Sequence, residues 1–390
     1  MKKTIRKMVA VLTTVVVIAT AFQTTAIAEN AQVSTTPSAE ITNLTNRLLE
    51  ADGHIPADFS KADMDKFLSE ADPKVIAEIF EKIEKNLKPI PDEMVDPNTL
   101  TTRSANLISR SGTYTEYDFE TGETTTRYMK DDHFDAQKLS EKVSAQSIGT
   151  EYISPRAWPD YWSEQNPQNY YDTRSTCLVV TKVKNSDEIY GGSGFLISGD
   201  TLVTASHMIY SPSHNGWCDY IMVFPSVSSS HQNGYYGFTT STTVWIGNYY
   251  INQTGNRGDD WAVAKLENSF DITPLSLVSF GSQSHDGMWI RTQGYPSDES
   301  EVNLDGRTLY LTTGVGYSLY NTSDYLKYGS AKAYSGMSGG PVLARDNSGQ
   351  YCIVGIISGG FTSSSDICEL NDTVYVAFDT NLYNTIMSKI

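Results

Sequence analysis

Apolar positions change rhythm twice along this 390-residue chain. Met8 to Ala21 is a largely apolar run behind Lys2, Lys3, Arg6 and Lys7, and Ala26-Ile27-Ala28 offers a small-x-small cleavage site. That is the pattern of a secretory signal at residues 1–28; the run is too short, and too interrupted by threonines, to span a bilayer. Helical spacing follows. Ile41, Leu44, Leu48 and Leu49 share a face, and the same period returns from Phe59 to Leu68 and from Val75 to Leu87. Ser60 with Asp63, and Asp72 with Pro73, read as helix starts. Pro89, Pro91 and Pro97 end this pattern, and the Thr- and Tyr-rich stretch Ser111 to Tyr128 predicts a hairpin turning at Thr121-Gly122.

From about Ile148 the composition turns to Tyr, Ser, Gly and Val, and short apolar runs alternate with turn signals. The first series of predicted strands is 178–183, 194–197, 201–204, 221–224, 243–246 and 261–266. The second is 288–293, 307–312, 314–318, 341–344, 352–357 and 374–378. This rhythm predicts an all-β fold of paired barrels rather than an α/β sheet. The chain thus divides into residues 1–28, a partly helical 29–147 and a β-rich 148–390.

A net charge of −17, spread over both mature segments without a basic patch, speaks against partners such as nucleic acid or an anionic membrane. The protein is expected to be exported, off the membrane once the signal is removed, and monomeric. Its four cysteines, Cys177, Cys218, Cys352 and Cys368, all lie after residue 148. They lack metal-ligand spacing and no His/Cys cluster accompanies them, so no metal or other cofactor is implied.

The chemistry-bearing run is Gly336-Met337-Ser338-Gly339-Gly340-Pro341. Two unrelated hydrolase folds use G-x-S-x-G, and chain order separates them. All six histidines precede Ser338, so the order serine, acid, histidine of an α/β-hydrolase is impossible here. The order histidine, aspartate, serine remains open. His207 ends the strand-like run Leu202-Val203-Thr204-Ala205-Ser206, whereas His214 and His231 sit in loop-like sequence. Asp260 opens the alternating run Trp261-Ala262-Val263-Ala264-Lys265-Leu266; its neighbour Asp259 reads as a solvated turn residue after Arg257-Gly258.

These three segments resemble the motifs of trypsin-like serine proteases, in particular the secreted bacterial branch that includes the glutamyl endopeptidases. The resemblance covers roughly the last 215–240 residues. It implies two six-stranded antiparallel β-barrels with the active site between them, and a peptidase acting on proteins or peptides through an acyl-enzyme. His207 would be the base, Asp260 would orient it, and Ser338 would be the nucleophile, with the N–H groups of Gly336 and Ser338 as the oxyanion hole. Residues 29–147 become a propeptide that assists folding or blocks the site, or else an accessory domain, with cleavage near Ser147-Ile148-Gly149.

Other implications are finer. Met337 stands where digestive relatives carry an aspartate that pairs with a new N-terminus, so activation must use another device. Lys332 falls at the base of the primary pocket, where it would favour acidic side chains, although a lysine merely solvated on a loop reads equally from the sequence. Ile357 stands where glutamyl endopeptidases carry a histidine. Ser358, Gly359 and Gly360 match the segment that lines the pocket and pairs with substrate backbone. Keeping each disulfide within one barrel gives Cys352–Cys368 and Cys177–Cys218; free buried thiols are the alternative. A catalytically silent binding or adhesion protein is the rival function, and the intact triad argues against it.

Overall fold

Helices come first, and their caps explain where they begin. In chain order they are α1 (Ala39–Glu50), α2 (Lys61–Glu70) and α3 (Pro73–Lys85). The computed structural model describes residues 37–89, 111–129, 161–164, 166–211, 216–228, 235–252, 257–279, 285–297, 306–318, 325–346, 349–364 and 369–390. Ser60 Oγ accepts from the Asp63 N–H at 3.1 Å while Asp63 accepts from the Ser60 N–H at 3.0 Å, a reciprocal capping box. Asp72 accepts from the Lys74 N–H at 2.8 Å, and Pro73 fits the first turn of α3, where an N–H would have no partner.

A short β1 (Lys88–Pro89) precedes the hairpin of β2 (Thr113–Asp118) and β3 (Thr124–Tyr128). Its turn falls where Thr121-Gly122 predicts it: Gly122 has φ +70° and its N–H reaches the Asp118 carbonyl at 2.8 Å. β4 (Tyr161–Glu164) follows.

The first barrel takes β5 (Thr176–Lys182), β6 (Ile189–Ser198), β7 (Thr201–Thr204), β10 (Tyr220–Pro225), β11 (Thr239–Gly247) and β12 (Ala262–Leu266). A two-stranded ribbon, β8 (Tyr210–Ser211) with β9 (Gly216–Trp217), interrupts the series, and α4 (Asn248–Asn252) leaves β11. The order β10-β5-β6-β7-β12-β11 closes because β10 also pairs with β11, Met222 opposite Thr240. The second barrel takes β13 (Trp289–Gly294), β14 (Leu309–Ser318), β15 (Leu326–Lys332), β16 (Pro341–Arg345), β17 (Tyr351–Gly360) and β18 (Asp372–Ala377), then α5 (Thr380–Met387). Its order β13-β16-β17-β18-β15-β14 closes through β13 and β14, from Trp289 opposite Val315 to Gly294 opposite Tyr310. The fold is therefore two closed six-stranded antiparallel barrels, as expected.

One strand expectation needs correction, and one strand has no counterpart among those predicted. Residues 309–318 form one strand rather than two, because Gly314 is not a turn: an added Cβ there would lie 2.0 Å from the Ala331 nitrogen. That close approach is what seats β15, a strand whose Lys, Gly and Ser content hides it in the sequence. Lys327 is buried on it, a state that only the surrounding fold creates.

The amino-terminal segment extends the first barrel's sheet. β2 runs antiparallel to β11 from Thr243–Asp118 to Gly247–Tyr114, and β1 runs parallel to β6. Ile221 and Val223 of β10 join the main core cluster, while Phe224 on the other face meets α3. The Phe80 ring lies 5.2 Å from Phe224 and 4.7 Å from Phe238. Burying such a ring contributes about 2–3 kcal/mol, and burial on both faces explains why β10 is apolar throughout rather than alternating.

Candidate active site

Strand register brings the candidate base and acid together. β7 and β12 pair with Thr204 opposite Ala262. Three residues beyond Thr204 and two before Ala262, the chain places His207 and Asp260 side by side. His207 lies on a 3₁₀ turn, Ser206–Met208, which Ser206 ties to the opposite strand: its Oγ donates to the carbonyls of Trp261 at 2.6 Å and Asp259 at 3.1 Å. His207 Nδ1 is 3.0 and 2.9 Å from the two carboxylate oxygens of Asp260, and the His207 N–H donates to Oδ1 at 3.1 Å. With Nδ1 held by the carboxylate, Nε2 is buried and makes no hydrogen bond among the described residues.

Ser338 comes from the second barrel, in the turn entering β16. The turn is tied across to β6: the Ser193 N–H donates to the Ser338 carbonyl at 2.8 Å, and Ser193 Oγ donates to the Gly336 carbonyl at 2.7 Å. Two glycines make this possible. Gly336 has φ +92°, and an added Cβ would meet the Tyr295 carbonyl oxygen at 2.5 Å. Gly339 has φ +83°, and its Cβ would fall 2.1 Å from Thr204 Oγ1 and 3.0 Å from the Ala205 nitrogen, two residues before His207. Only glycine accepts such angles without strain, and only a residue without a side chain lets the serine turn come so close to the histidine strand. His207, Asp260 and Ser338 are all buried.

Two further groups hold the acid, a role that the sequence reading assigns to neither. Ser358 Oγ donates to Asp260 Oδ2 at 2.5 Å, and Arg257 Nη1 stands 3.4 Å from the same oxygen and donates to the Ser358 carbonyl at 2.7 Å. Burial alone would raise the Asp260 pKa, but the charge and hydrogen bond of His207, then Arg257 and Ser358, outweigh it and hold the carboxyl below its ordinary value. Ser358 thus grips the acid, in addition to its expected place beside Gly359 and Gly360 on β17. These two pair with Val374 and Thr373 of β18 after a bulge at Ile357–Gly359.

Asp259 is not the solvated turn residue expected. It is fully buried, with Oδ2 accepting from the N–H groups of Ser111 and Tyr249, each at 3.0 Å, and from Ser111 Oγ at 2.5 Å. Lys332, expected either at a pocket base or solvated on a loop, is half-buried at the end of β15 and already paired. Its Nζ donates to Asp372 at 2.8 Å, Glu369 at 3.2 Å and the Leu370 carbonyl at 3.1 Å. Burial, which would lower its pKa, is outweighed by these two carboxylates, which raise it.

The disulfide expectation is also corrected, since Cys177, Cys218 and Cys352 are free and buried. In the β5–β10 ladder Cys177 faces Pro225, whereas Cys218 lies beyond Tyr220, which faces Lys182 five residues away. At about 3.3 Å of rise per residue the two are far outside disulfide reach. Burial pushes all three thiols up, Cys352 to about 12. Cys368, His214, His231 and the cleavage position near Ser147-Ile148-Gly149 lie outside the described residues.

Residues 192–356 match the family model of the trypsin-like peptidase domain. The Extracellular metalloprotease of Bacillus subtilis (strain 168) is 28% identical over 193 residues, 48% of this chain and 57% of that protein. The chain therefore spans little more than half the length of this curated relative. Among the described residues no group of three or more His, Cys, Asp or Glu side chains is placed to hold a metal ion. Similar solved structures include the following three. A Glu endopeptidase in complex with MPD has a TM-score of 0.48 at 18% identity, covering 60% of this chain and 97% of that one. Protease Anisep from Arthrobacter nicotinovorans gives 0.45 at 16%, covering 58% and 99%, and a thermostable serine protease, AL20, from an extremophilic microorganism gives 0.44 at 15%, covering 55% and 96%.

Proposed function

We propose, from the match of residues 192–356 to the trypsin-like peptidase domain, that the protein is an exported serine endopeptidase, made as a proenzyme, that cleaves protein or peptide substrates. The observation that carries the reading is the buried His207–Asp260 pair, 2.9 Å apart, just beyond β7, the strand against which the Ser338 turn packs. A carboxylate on Nδ1 fixes the tautomer that leaves the Nε2 lone pair as a base. His207 Nε2 takes the Ser338 hydroxyl proton as Oγ attacks the scissile carbonyl carbon. The N–H groups of Gly336 and Ser338 stabilise the oxyanion. As the C–N bond breaks, the imidazolium gives its proton to the leaving amine and an acyl-enzyme remains. Water, activated by the same imidazole, then releases the acid product.

Residues 1–28 are the export signal in this reading, which places the enzyme outside the cell. The name of the Bacillus subtilis relative supports that placement. Among the described residues no helix is long and apolar enough to cross a membrane. Lys332 would favour acidic side chains at a pocket base, and its charge is shared with Asp372 and Glu369, which weakens that preference.

The test is digestion of a complex peptide mixture by secreted protein, with a Ser338→Ala control, and mass spectrometry of the new termini. Termini found only with the wild type are expected. Indistinguishable digests would instead favour a binding protein built on a protease fold.

A further inference from the structure

The carboxylate of Asp259 is held from an unexpected direction. Its donors are the Tyr249 N–H and both the N–H and the hydroxyl of Ser111. Ser111 belongs to the amino-terminal segment, on the far side of the expected cleavage position from the barrels. The Asp259 carbonyl accepts from Ser206 Oγ, so this one residue links Ser111 on one side to the His207 turn on the other. Asp260 is its next neighbour in the chain.

Ser111 is itself well anchored. Its one hydroxyl proton is shared between Asp259 Oδ2 and the Thr113 carbonyl, 2.6 Å away at the head of β2. β2 pairs with β11 over five consecutive positions. Tyr117 stacks on Trp217 with ring centroids 4.4 Å apart, Glu116 accepts from Trp245 Nε1 at 2.8 Å, and Lys389 of the C-terminal end reaches Tyr114 Oη at 2.7 Å. Earlier in the segment, Glu84 of α3 stands 3.4 Å from Arg307 Nε. The adjacent Gly306 N–H donates to the Pro296 carbonyl, and the Ser297 N–H to the Ser335 carbonyl, both at 2.8 Å, beside the Gly336 turn.

A removable block would be expected to cover the nucleophile. The Ser111 contact lies instead behind the acid, and losing it would strip a buried carboxylate of two of the three hydrogen bonds that Ser111 and Tyr249 give it. We infer that the amino-terminal segment carrying Ser111 stays on the processed enzyme as an extra hairpin of the first barrel, and that Ser111 is a positioning residue acting on Asp260 through Asp259. The inference rests on the peptidase reading for its catalytic half alone.

Two measurements test it. The secreted chain, after cleavage between residues 130 and 160, is passed through size exclusion without denaturant, and the peptidase peak is examined for peptides of residues 111–129. Their presence in equal amount is expected, with release only in denaturant. A fully active peak that lacks them overturns the proposal. Ser111→Ala is then compared with Ser111→Thr, which keeps the hydroxyl. The alanine variant should lose on the order of 10- to 100-fold in kcat with KM nearly unchanged, as a small misplacement of the acid would produce, and threonine should restore most of it. An alanine variant that retains the segment and full kcat overturns the positioning role. If Ser111→Ala does not fold, the wild-type co-elution still decides retention and Ser111→Thr still reads the hydroxyl. If Ser338→Ala stays active, the peptidase reading fails while the co-elution result stands.

Discussion

Asp260→Asn separates the two adjacent acids and tests the proton-transfer geometry. Asp260 receives the His207 N–H at 3.1 Å, His207 Nδ1 at 2.9 and 3.0 Å and Ser358 Oγ at 2.5 Å, with Arg257 at 3.4 Å. An asparagine offers a single carbonyl oxygen and turns an NH2 group towards the remaining donors. If that NH2 meets Nδ1, the ring must carry its proton on Nε2 and can no longer accept one from Ser338. The wrong tautomer costs about 10⁴-fold in kcat, or roughly 5–6 kcal/mol of barrier. In Asp259→Asn the side-chain oxygen can still accept from Ser111 and Tyr249, and the catalytic loss should stay within about 100-fold. The assay is steady-state cleavage of a peptide substrate found in the digest, with thermal melts to show that both variants fold. If Asp260→Asn keeps more than about a tenth of wild-type kcat, or if Asp259→Asn is the more damaging change, the assignment of the acid is wrong.

Three other outcomes follow from the same contacts. Gly339→Ala forces φ +83° on a residue with a Cβ that would sit 2.1 Å from Thr204 Oγ1. Strain plus overpacking should cost about 2–5 kcal/mol in urea unfolding, and a loss under about 1 kcal/mol would mean that the turn yields easily. Lys332→Met should leave the ratio of cleavage after Glu to cleavage after Gln unchanged, while a drop on the order of tenfold would return Lys332 to substrate recognition. His285 is buried with Nδ1 2.8 Å from Tyr375 Oη, and burial, then the Lys327 charge, lower its pKa to about 3. Between that value and the ordinary histidine pKa the unfolded chain binds the extra proton, so stability is full above about pH 6.5 and falls as pH drops towards 3. From pH 6.5 to 4.5 the wild type should lose about 2 kcal/mol more than His285→Gln, and parallel profiles would show that the ring is not held neutral.

Local rules made much of this molecule legible in its sequence. Ser60 with Asp63 and Asp72 with Pro73 start helices because capping depends on residues two or three apart. The Thr121-Gly122 turn is equally local, and strands 201–204 and 341–345 sit within a residue of where alternation and turn signals put them. The order of His207, Asp260 and Ser338 survives any folding and so could be read directly. What the sequence could not carry were states created by distant partners. Ser358 and Arg257 hold Asp260 across 98 and 3 residues of chain, and neither has a pattern that marks it. Asp259 reads as a turn acid because only the fold brings Ser111 to it from 148 residues away. Lys332 reads as a lone charge until β18 supplies Asp372, and Cys177 and Cys218 read as partners until the register of β5 with β10 sets them at opposite ends of a ladder. The sequence by itself marked most of the elements and the candidate reacting groups, because both depend on near neighbours and on chain order. Only the tertiary structure decided which carboxylate faces the imidazole, which charges are already spent and which thiols can meet, because each of these is fixed by burial and by contacts between residues far apart in the chain.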